Sequence, residues 1–218
     1  MKPADDPTVD YRRLVREGYD RCSARYAEAR RRESGRELEL LAARLTPGSR
    51  VLDLGCGAGV PIAAALAREH RVTGVDVSSE QIRRARASVP GATFLLADAM
   101  AVEFPPESFA AVVSFYAVFH LPREEHEELF RRVHRWLAPG GYLAATVSHD
   151  REAAYTEDGF FGVRMYWSNW SREDYVEMLA RLGFELLETS AIGHGYDARE
   201  ARKPESHPLL FARKRERT

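Results

Sequence analysis

Short apolar runs alternate with helix-forming segments through the middle of the chain. The runs have the length and composition of buried parallel strands. This order predicts an α/β fold in which helices cover a parallel sheet. The predicted strands are Val51–Leu54, Arg71–Val77, Thr93–Ala97, Ala110–Ser114 and Tyr142–Val147. A helix is predicted at Arg123–Leu137, followed by a turn at Ala138-Pro139-Gly140-Gly141.

The N-terminal region carries one apolar stripe at helical spacing, which predicts a helix there. A second helix is predicted near Gly35–Leu45, closed by Thr46-Pro47-Gly48. We expect residues 1–8, which include two prolines, to form a loose tail, and Arg30-Arg31-Arg32 to be a solvated helix end. The stripe consists of Tyr11, Leu14, Val15, Cys22 and Tyr26.

The C-terminal region predicts one helix and two strands. The helix spans Ser171–Leu182, and Ser171 is a good N-cap because its hydroxyl can accept a hydrogen bond from a backbone N–H of the first turn. The strands are Phe184–Ala191 and Leu209–Lys214, with a polar loop over Gly193–His207 between them.

The segment His149–Trp170 shows no clean period and is rich in aromatic residues. Such rings can form a wall for an apolar or aromatic small molecule. They can equally pack the segment onto the rest of the fold, and the sequence leaves both interpretations open. Its aromatic residues include Tyr155, Phe160, Phe161, Tyr166, Trp167 and Trp170.

A glycine turn follows the first predicted strand. Residues 51–59 read Val-Leu-Asp-Leu-Gly-Cys-Gly-Ala-Gly, and helical pattern resumes near Pro61. Glycines lack Cβ atoms, so a ligand can lie against bare backbone and its N–H groups. A strand, a glycine turn and a helix begin a nucleotide-binding α/β fold.

An acidic residue follows at the distance expected for ribose recognition. Asp76 comes 21 residues after Gly55, at the end of the second predicted strand, close to the roughly 20 residues that such a carboxylate requires. A dinucleotide-dependent oxidoreductase is the rival interpretation, but its Gly-x-Gly-x-x-Gly fingerprint needs glycine at position 60. Val60 stands there.

The motifs together resemble those of the class I S-adenosylmethionine-dependent methyltransferases. The matching pieces are Val51–Gly59, Asp76 in Gly-Val-Asp-Val-Ser, Asp98 in Leu-Ala-Asp-Ala-Met, and Leu-Ala-Pro-Gly-Gly-Tyr-Leu at 137–143. They occur in family order and spacing, and the resemblance runs from about Tyr11 to the C-terminus. More loosely, the chain is similar to small bacterial members allied to the ubiquinone/menaquinone C-methyltransferases.

The resemblance implies a Rossmann-like, seven-stranded, mostly parallel sheet with an antiparallel C-terminal strand and helices on both faces. It also implies an N-terminal helical lid over the cofactor. We expect one methyltransferase domain over 1–218, comprising the lid (9–46), the cofactor-binding core (50–148), the aromatic insert (149–170) and a C-terminal helix with a strand hairpin (171–218).

The resemblance also implies the cofactor, S-adenosyl-L-methionine, and its site. Asp76 would accept from the ribose hydroxyls, Asp98 from the adenine amino group, and Asp53 would reach toward the methionine ammonium. The cofactor-binding residues we expect are Tyr26, Asp53, Gly55, Cys56, Gly57, Gly59, Asp76, Val77, Asp98, Ala99, Met100 and Phe115.

The residues at the end of the fourth predicted strand restrict the class of acceptor molecule. Ser114-Phe115-Tyr116-Ala117 is not the Asn/Asp-Pro-Pro-Tyr/Phe motif of enzymes that methylate planar amino groups, and no metal-assisted set is evident. A neutral acceptor must lose a proton to a nearby base, and histidine suits that role. The candidate bases are His120 and His149, and the expected acceptor-binding residues are Tyr19, Tyr116, Tyr166 and Trp167.

Composition adds little that is specific. The net charge is −1, from 32 basic and 33 acidic residues, so we expect neither nucleic acid nor membrane as a partner. Cys22 and Cys56 share no spacing motif, which predicts no disulfide framework and no metal site. We expect a cytoplasmic enzyme that methylates a small, apolar or aromatic molecule. The alternatives are a catalytically inactive adenosylmethionine-binding partner protein and, remotely, an NAD(P)-dependent oxidoreductase.

Overall fold

A computed structural model describes residues 10–30, 36–193 and 206–216, with backbone alone for 36, 37, 191–193 and 206. The predicted tail and most of the predicted polar loop lie outside these residues. The strands of the described part are β1 (Arg50–Leu54), β2 (Arg71–Asp76), β3 (Thr93–Leu96), β4 (Phe109–Ser114), β5 (Leu137–Thr146), β6 (Glu152–Phe160), β7 (Val163–Asn169), β8 (Phe184–Gly193) and β9 (Ser206–Lys214).

Seven of these strands form one sheet in the order β3-β2-β1-β4-β5-β9-β8. Pairing is parallel from β3 to β5, and β9 runs antiparallel to both of its neighbours. This confirms the predicted seven-stranded sheet with an antiparallel C-terminal strand. The chain leaves β1 toward β2 on one side and reaches β4 on the other, so a crevice opens at the carboxyl ends of these strands.

Helices cover both faces of the sheet, as predicted. In the described residues they are α1 (Tyr11–Arg30), α2 (Arg36–Ala42), α3 (Ile62–Leu66), α4 (Ser79–Ser88), α5 (Arg123–Trp136) and α6 (Arg172–Arg181). Strand residues alternate between two apolar layers: Leu52 and Leu54 pack in the layer of α5 and α6, whereas Val51 packs in the layer of α2, α3 and α4. Ser171 caps α6 with its hydroxyl, reciprocated by Asp174, which satisfies two N–H groups of the first turn.

The aromatic insert is a β-hairpin, formed by β6 and β7 as a separate antiparallel pair. Its register shifts twice, between Glu152 and Tyr155 and again between Glu157 and Phe160. Each irregularity breaks the two-residue alternation of inward and outward side chains, which explains why the sequence shows no period there.

Helix α1 and this hairpin pack on each other and are called the roof below. Val15, Tyr19 and Cys22 of α1 share an apolar cluster with Val163 and Met165 of β7. A Cβ atom at Gly18 would lie 2.9 Å from the Met165 methyl group. The two segments therefore approach as closely as a glycine permits.

Strand β5 begins earlier than the sequence indicates. The predicted turn at 138–141 lies inside Leu137–Thr146, where the pairing with β4 shifts between Phe109 and Ala111. Pro139 and the two glycines thus occupy an irregular stretch of a strand. In the described residues, no helix is both long and apolar enough to cross a bilayer.

Candidate functional site

The carboxyl ends of β1, β2 and β4 open into a cleft of about 820 Å³, part of which is open solvent. A smaller cavity of about 420 Å³ adjoins it beside the glycine turn. Tyr26, Gly55, Gly57 and Phe115 line both spaces. The two spaces therefore adjoin, and the glycine turn forms the floor that they share.

The glycine turn needs its first two glycines for different reasons. Gly55 has φ +77°, and a Cβ atom there would lie 2.3 Å from the Ala117 Cβ. Gly57 has φ +52°, but a Cβ atom there would meet nothing within 4 Å. Gly55 therefore allows the glycine turn to contact the segment at Ala117, whereas Gly57 lines the open floor of the cleft. Only glycine adopts such angles at little cost.

Asp76 fixes this turn from the end of β2. Its Oδ2 accepts from the Gly57 N–H and its Oδ1 from the Ser78 N–H, each at 2.9 Å. Burial raises the pKa of Asp76 to about 6, although these two N–H groups act to lower it. A carboxylate oxygen can accept more than one hydrogen bond, so Asp76 retains acceptor capacity toward the cleft.

Asp53 lies beneath the smaller cavity and is only 2 % exposed. Its Oδ2 has no hydrogen-bond partner among the described residues. Burial, and secondarily the Asp76 carboxylate, raises the pKa of Asp53 to about 7, while the Arg30 guanidinium acts to lower it. A buried polar atom without a partner is costly. A cationic donor in the cavity would remove that cost.

Arg30 closes the other side of the smaller cavity. Its guanidinium carbon lies 4.0 Å from the centre of the Tyr116 ring, and its Nη1 donates to the Tyr26 hydroxyl at 3.1 Å. The side chain is 6 % exposed. The prediction of a solvated helix end is therefore wrong for Arg30, because the guanidinium packs on the rings of Tyr26 and Tyr116. Arg31 and Arg32 lie outside the described residues.

Asp98 lies at the opposite end of the cleft and is engaged by the roof. Its Oδ1 accepts from the Met100 N–H at 2.8 Å, and its Oδ2 accepts from Arg12 of α1. The same guanidinium donates to both carboxylate oxygens of Glu125 on α5, and the Tyr11 hydroxyl also donates to Glu125. We call this group the Arg12 clasp. It ties the start of α1 across the mouth of the cleft.

His120 and Tyr19 meet between these two ends. The Tyr19 hydroxyl lies 2.7 Å from His120 Nε2, and His120 Nδ1 lies 2.8 Å from the Tyr166 carbonyl oxygen. Both side chains line the larger cleft. Burial lowers the pKa of His120 to about 4, although the backbone hydrogen bond acts to raise it.

Tyr116 follows β4 in a strained conformation. Its φ is +58°, and its N–H donates to the Thr146 hydroxyl at 2.6 Å. A bulky residue rarely adopts a positive φ, and such strain concentrates at functional sites. The conformation places the Tyr116 ring between the cleft and Arg30.

Most of the expected site residues come together around the cleft and its adjoining cavity. Two cofactor candidates do not line it: a Cβ atom at Gly59 would contact Ala85 and Val89 of the α4 region at 3.3 Å, and Met100 packs against the apolar core. The residues that do line it are Tyr19, Tyr26, Asp53, Gly55, Cys56, Gly57, Asp76, Val77, Asp98, Ala99, Phe115, Tyr116 and His120.

Three other candidates lie away from the cleft. His149 is exposed just beyond β5 and does not line either space. Trp167 stacks on Tyr155 at 5.6 Å, and Tyr166 packs on Tyr11 at 5.2 Å, measured between ring centres. These insert rings pack the roof together instead of facing the cleft, as the second interpretation of the insert expects.

Arg12 and Arg30 are site residues that the sequence pattern did not predict. Both lie on α1, seven and four residues from Tyr19 and Tyr26 respectively. Residues at these spacings share one helix face. The sequence contains a signal for them, because both arginines lie in line with the apolar stripe of the helix. Arginines are abundant throughout this chain, so these two do not stand out.

Comparison with known proteins identifies the domain to which the central part of the chain is similar. Residues 51–141 match a family model described as a methyltransferase domain. The 27-O-demethylrifamycin SV methyltransferase of Amycolatopsis mediterranei is 38% identical over 133 residues, which cover 58% of this chain and 47% of that protein. The 2-methyl-6-phytyl-1,4-hydroquinone methyltransferase of Synechocystis is 32% identical over 160 residues, which cover 69% of this chain and 48% of that protein.

Solved structures share the fold at low sequence identity. One is the Burkholderia thailandensis 1,6-didemethyltoxoflavin-N1-methyltransferase with bound 1,6-didemethyltoxoflavin and S-adenosylhomocysteine. It has a TM-score of 0.64 and 18% identity, over 98% of this chain and 94% of that one. The chain spans about half the length of the curated relatives it matches. Residues 51–141 thus form a methyltransferase domain shared with these relatives, and the fold is that of S-adenosylmethionine-dependent methyltransferases.

Proposed function

We propose that this protein transfers a methyl group from S-adenosylmethionine to a small molecule with apolar or aromatic character. The observation that carries the proposal is the buried Asp53 oxygen beside the glycine turn, which has no partner among the described residues. The α-ammonium of the cofactor's methionine part is a cation of the kind that would satisfy it.

The remaining residues of the site suit the rest of the cofactor. Arg30 would face the methionine carboxylate, which a guanidinium can bind through two N–H groups. The Gly55–Gly57 backbone would lie along the cofactor, Asp76 would accept from the ribose hydroxyls, and Asp98 would accept from the adenine amino group. The cofactor supplies an activated methyl group on a sulfonium.

The protein's part in such a reaction is orientation and exclusion of water. The roof supplies both, because α1 lies over the strand ends and the Arg12 clasp holds it there. The residues that line the cleft include the aromatic side chains of Tyr19, Tyr26, Phe115 and Tyr116. Such walls favour a flat or apolar acceptor.

The curated relatives support a small-molecule acceptor. One is named for methylating a demethylrifamycin and another for a phytyl hydroquinone. We also propose that residues 9–46, 50–148, 149–170 and 171–218 act as lid, cofactor-binding core, insert and C-terminal unit of one methyltransferase domain.

A thermal-shift comparison tests the cofactor half of this proposal. S-Adenosylhomocysteine at a hundredfold excess over its dissociation constant should stabilise the protein by roughly 2.7 kcal/mol, and NAD or NADP should not. Mass spectrometry of reactions with candidate acceptors then tests turnover. Stabilisation by NAD alone would contradict the proposal. Stabilisation by S-adenosylhomocysteine, with no methylated product from any acceptor, would favour the inactive partner-protein alternative.

A further inference from the structure

Tyr19 and His120 are joined by a hydrogen bond in the middle of the cleft. Tyr19 belongs to α1, and His120 belongs to a single 3₁₀ turn, Val118–His120, that follows β4. The two residues are 101 positions apart, and both are less than 10 % exposed. The pair therefore exists only when α1 lies over the strand ends.

The direction of the hydrogen bond follows from the partner on the other side of the imidazole. His120 Nδ1 lies 2.8 Å from the Tyr166 carbonyl oxygen, which can only accept. Nδ1 must then carry a proton. In the neutral imidazole this makes Nε2 an acceptor, so the Tyr19 hydroxyl donates to it.

The surroundings keep His120 neutral in the resting protein. The rings of Tyr19, Phe119, Phe160 and Trp167 lie 5.0–6.3 Å from the imidazole, centre to centre. Burial among these groups disfavours a charged imidazole, and the lowered pKa of His120 agrees with this environment. Because its own proton points at His120, Tyr19 can act toward a further group in the cleft only as a hydrogen-bond acceptor.

We propose that Tyr19 is a catalytic residue that receives the proton of a hydroxyl acceptor, and that His120 positions it and takes the phenol proton in turn. This inference rests on the proposed methyl transfer and adds the acceptor class, an alcohol or phenol that is neutral in water. It uses no oxidant or metal.

The proton transfers balance. As the acceptor oxygen bonds to the methyl carbon, the bond between that carbon and the cofactor sulfur breaks, and the sulfur keeps the electron pair. The acceptor O–H proton moves to the Tyr19 oxygen, and the Tyr19 proton moves to His120 Nε2. The resulting imidazolium donates through Nδ1 to the Tyr166 carbonyl, and it returns its extra proton to water when the roof opens.

A matched pair of probes separates proton transfer from binding. 2-Naphthol is neutral near pH 7 and must lose a proton, whereas 2-naphthalenethiol has the same ring system and reacts as a thiolate without a base. Tyr19→Phe should lower kcat/KM for 2-naphthol by about 100-fold or more, the contribution of a positioned base. It should change the value for 2-naphthalenethiol by less than about threefold, with KM and S-adenosylhomocysteine affinity unchanged.

The control variant is Tyr155→Phe. Tyr155 lies on β6 of the roof, stacks on Trp167 and does not line the cleft. It should leave both probes at wild-type rates. Equal losses for the two probes in Tyr19→Phe would overturn the proposal, since they would indicate a purely structural role. Wild-type turnover of the thiol without turnover of the naphthol would also overturn it, while leaving methyl transfer intact.

A measurement without turnover tests the pair directly. In protein with ¹⁵N-labelled histidine, with S-adenosylhomocysteine bound, His120 should show the Nδ1–H tautomer. It should stay neutral from about pH 5.5 to about pH 8, whereas an ordinary histidine titrates near 6.5. The Nε2–H tautomer, or titration near 6.5, would refute the pair whichever acceptor is used. Failure to bind S-adenosylhomocysteine at all would instead refute the proposed function.

Discussion

The floor and the roof of the cleft are built in opposite ways. The floor comes from consecutive strand ends, where Asp53, Gly55, Gly57 and Asp76 are held by β1, β2 and backbone N–H groups. The roof is joined to the core by side chains from distant segments, such as Arg12 with Asp98 and Glu125. The floor is therefore set by local sequence and parallel pairing, whereas the roof depends on contacts between segments that are distant in the sequence.

This difference suits the division of tasks that we propose for the site. The proposed cofactor is a single molecule, and a floor of backbone groups and short side chains suits one ligand shape. Binding of the acceptor and exclusion of water require a part that can open. Ion pairs and edge-to-face aromatic contacts suit such a part because each of them alone contributes little free energy. Changes in the floor should accordingly have large effects on stability and cofactor affinity, and changes in the ion pairs that hold the roof should have smaller ones.

The largest effect is expected for Gly55→Ala. The new Cβ atom would lie 2.3 Å from the Ala117 Cβ at a φ of +77°. Overpacking and the left-handed backbone together should lower the free energy of unfolding by roughly 2–4 kcal/mol. Urea denaturation measures this. Gly48→Ala is the matched control, since its φ is +82° with nothing within 4 Å, and it should cost about 1 kcal/mol. Equal losses of unfolding free energy in the two variants would show that the contact with Ala117 is unimportant.

A somewhat smaller effect is expected for Asp76→Ala. Loss of a charged acceptor for the ribose hydroxyls should cost about 1.5–3 kcal/mol of binding, which is a 10- to 100-fold weaker affinity for S-adenosylhomocysteine. Isothermal titration measures it. Asp158→Ala changes a carboxylate of the hairpin whose side chain is 86% exposed and should bind normally. An unchanged affinity in folded Asp76→Ala would remove Asp76 from the site.

The sequence predicted the floor more completely than the roof for the same physical reason. Asp76 was recognised because its distance from Gly55 reflects one strand, one turn and one helix. The Tyr19–His120 pair bridges 101 positions, and no local pattern encodes such a contact. The hairpin was missed because its bulges remove the alternation by which strands are recognised.

Asp53 should make cofactor binding dependent on pH. Its pKa of about 7 in the cofactor-free protein means that a substantial fraction is protonated near neutrality. A bound ammonium favours the carboxylate and lowers this pKa, so S-adenosylhomocysteine should release up to roughly half a proton at pH 7. Titration calorimetry in buffers of different ionisation enthalpy measures the release. Asp53→Asn should reduce it, and an identical release in that variant would contradict the assignment.

The same carboxyl should affect the pH dependence of stability with the opposite sign from an acid whose pKa is lowered by folding. Its pKa is about 7 in the folded protein, against an ordinary value near 3.9 when unfolded. The native state therefore holds more protons between about pH 4 and about pH 7, and the contribution of Asp53 to stability is lost as pH rises through that window. Asp53→Asn should flatten this fall in the free energy of unfolding. An unchanged slope would indicate an ordinary pKa.

The smallest effect is expected at the Arg12 clasp. Partly exposed ion pairs contribute about 0.2–1 kcal/mol, so Arg12→Met should speed dissociation of S-adenosylhomocysteine by at most about fivefold. Added salt should speed dissociation from the wild type but not from the variant. Stopped-flow measurements would show both. Arg13→Met is the control, because Arg13 pairs only along its own helix with Glu17 among the contacts described. A large effect of that control would argue against a specific clasp.

The shared apolar core of α1 and the hairpin bears on how such enzymes can be recombined. Val15, Tyr19 and Cys22 have their apolar partners on β7, and Gly18 admits Met165 at contact distance. A chimaera that exchanges 152–169 alone would set unmatched surfaces against each other. The unit of exchange is discontinuous and consists of 11–30 together with 152–169. Libraries meant to change the acceptor should vary these two stretches jointly and keep the strand ends constant.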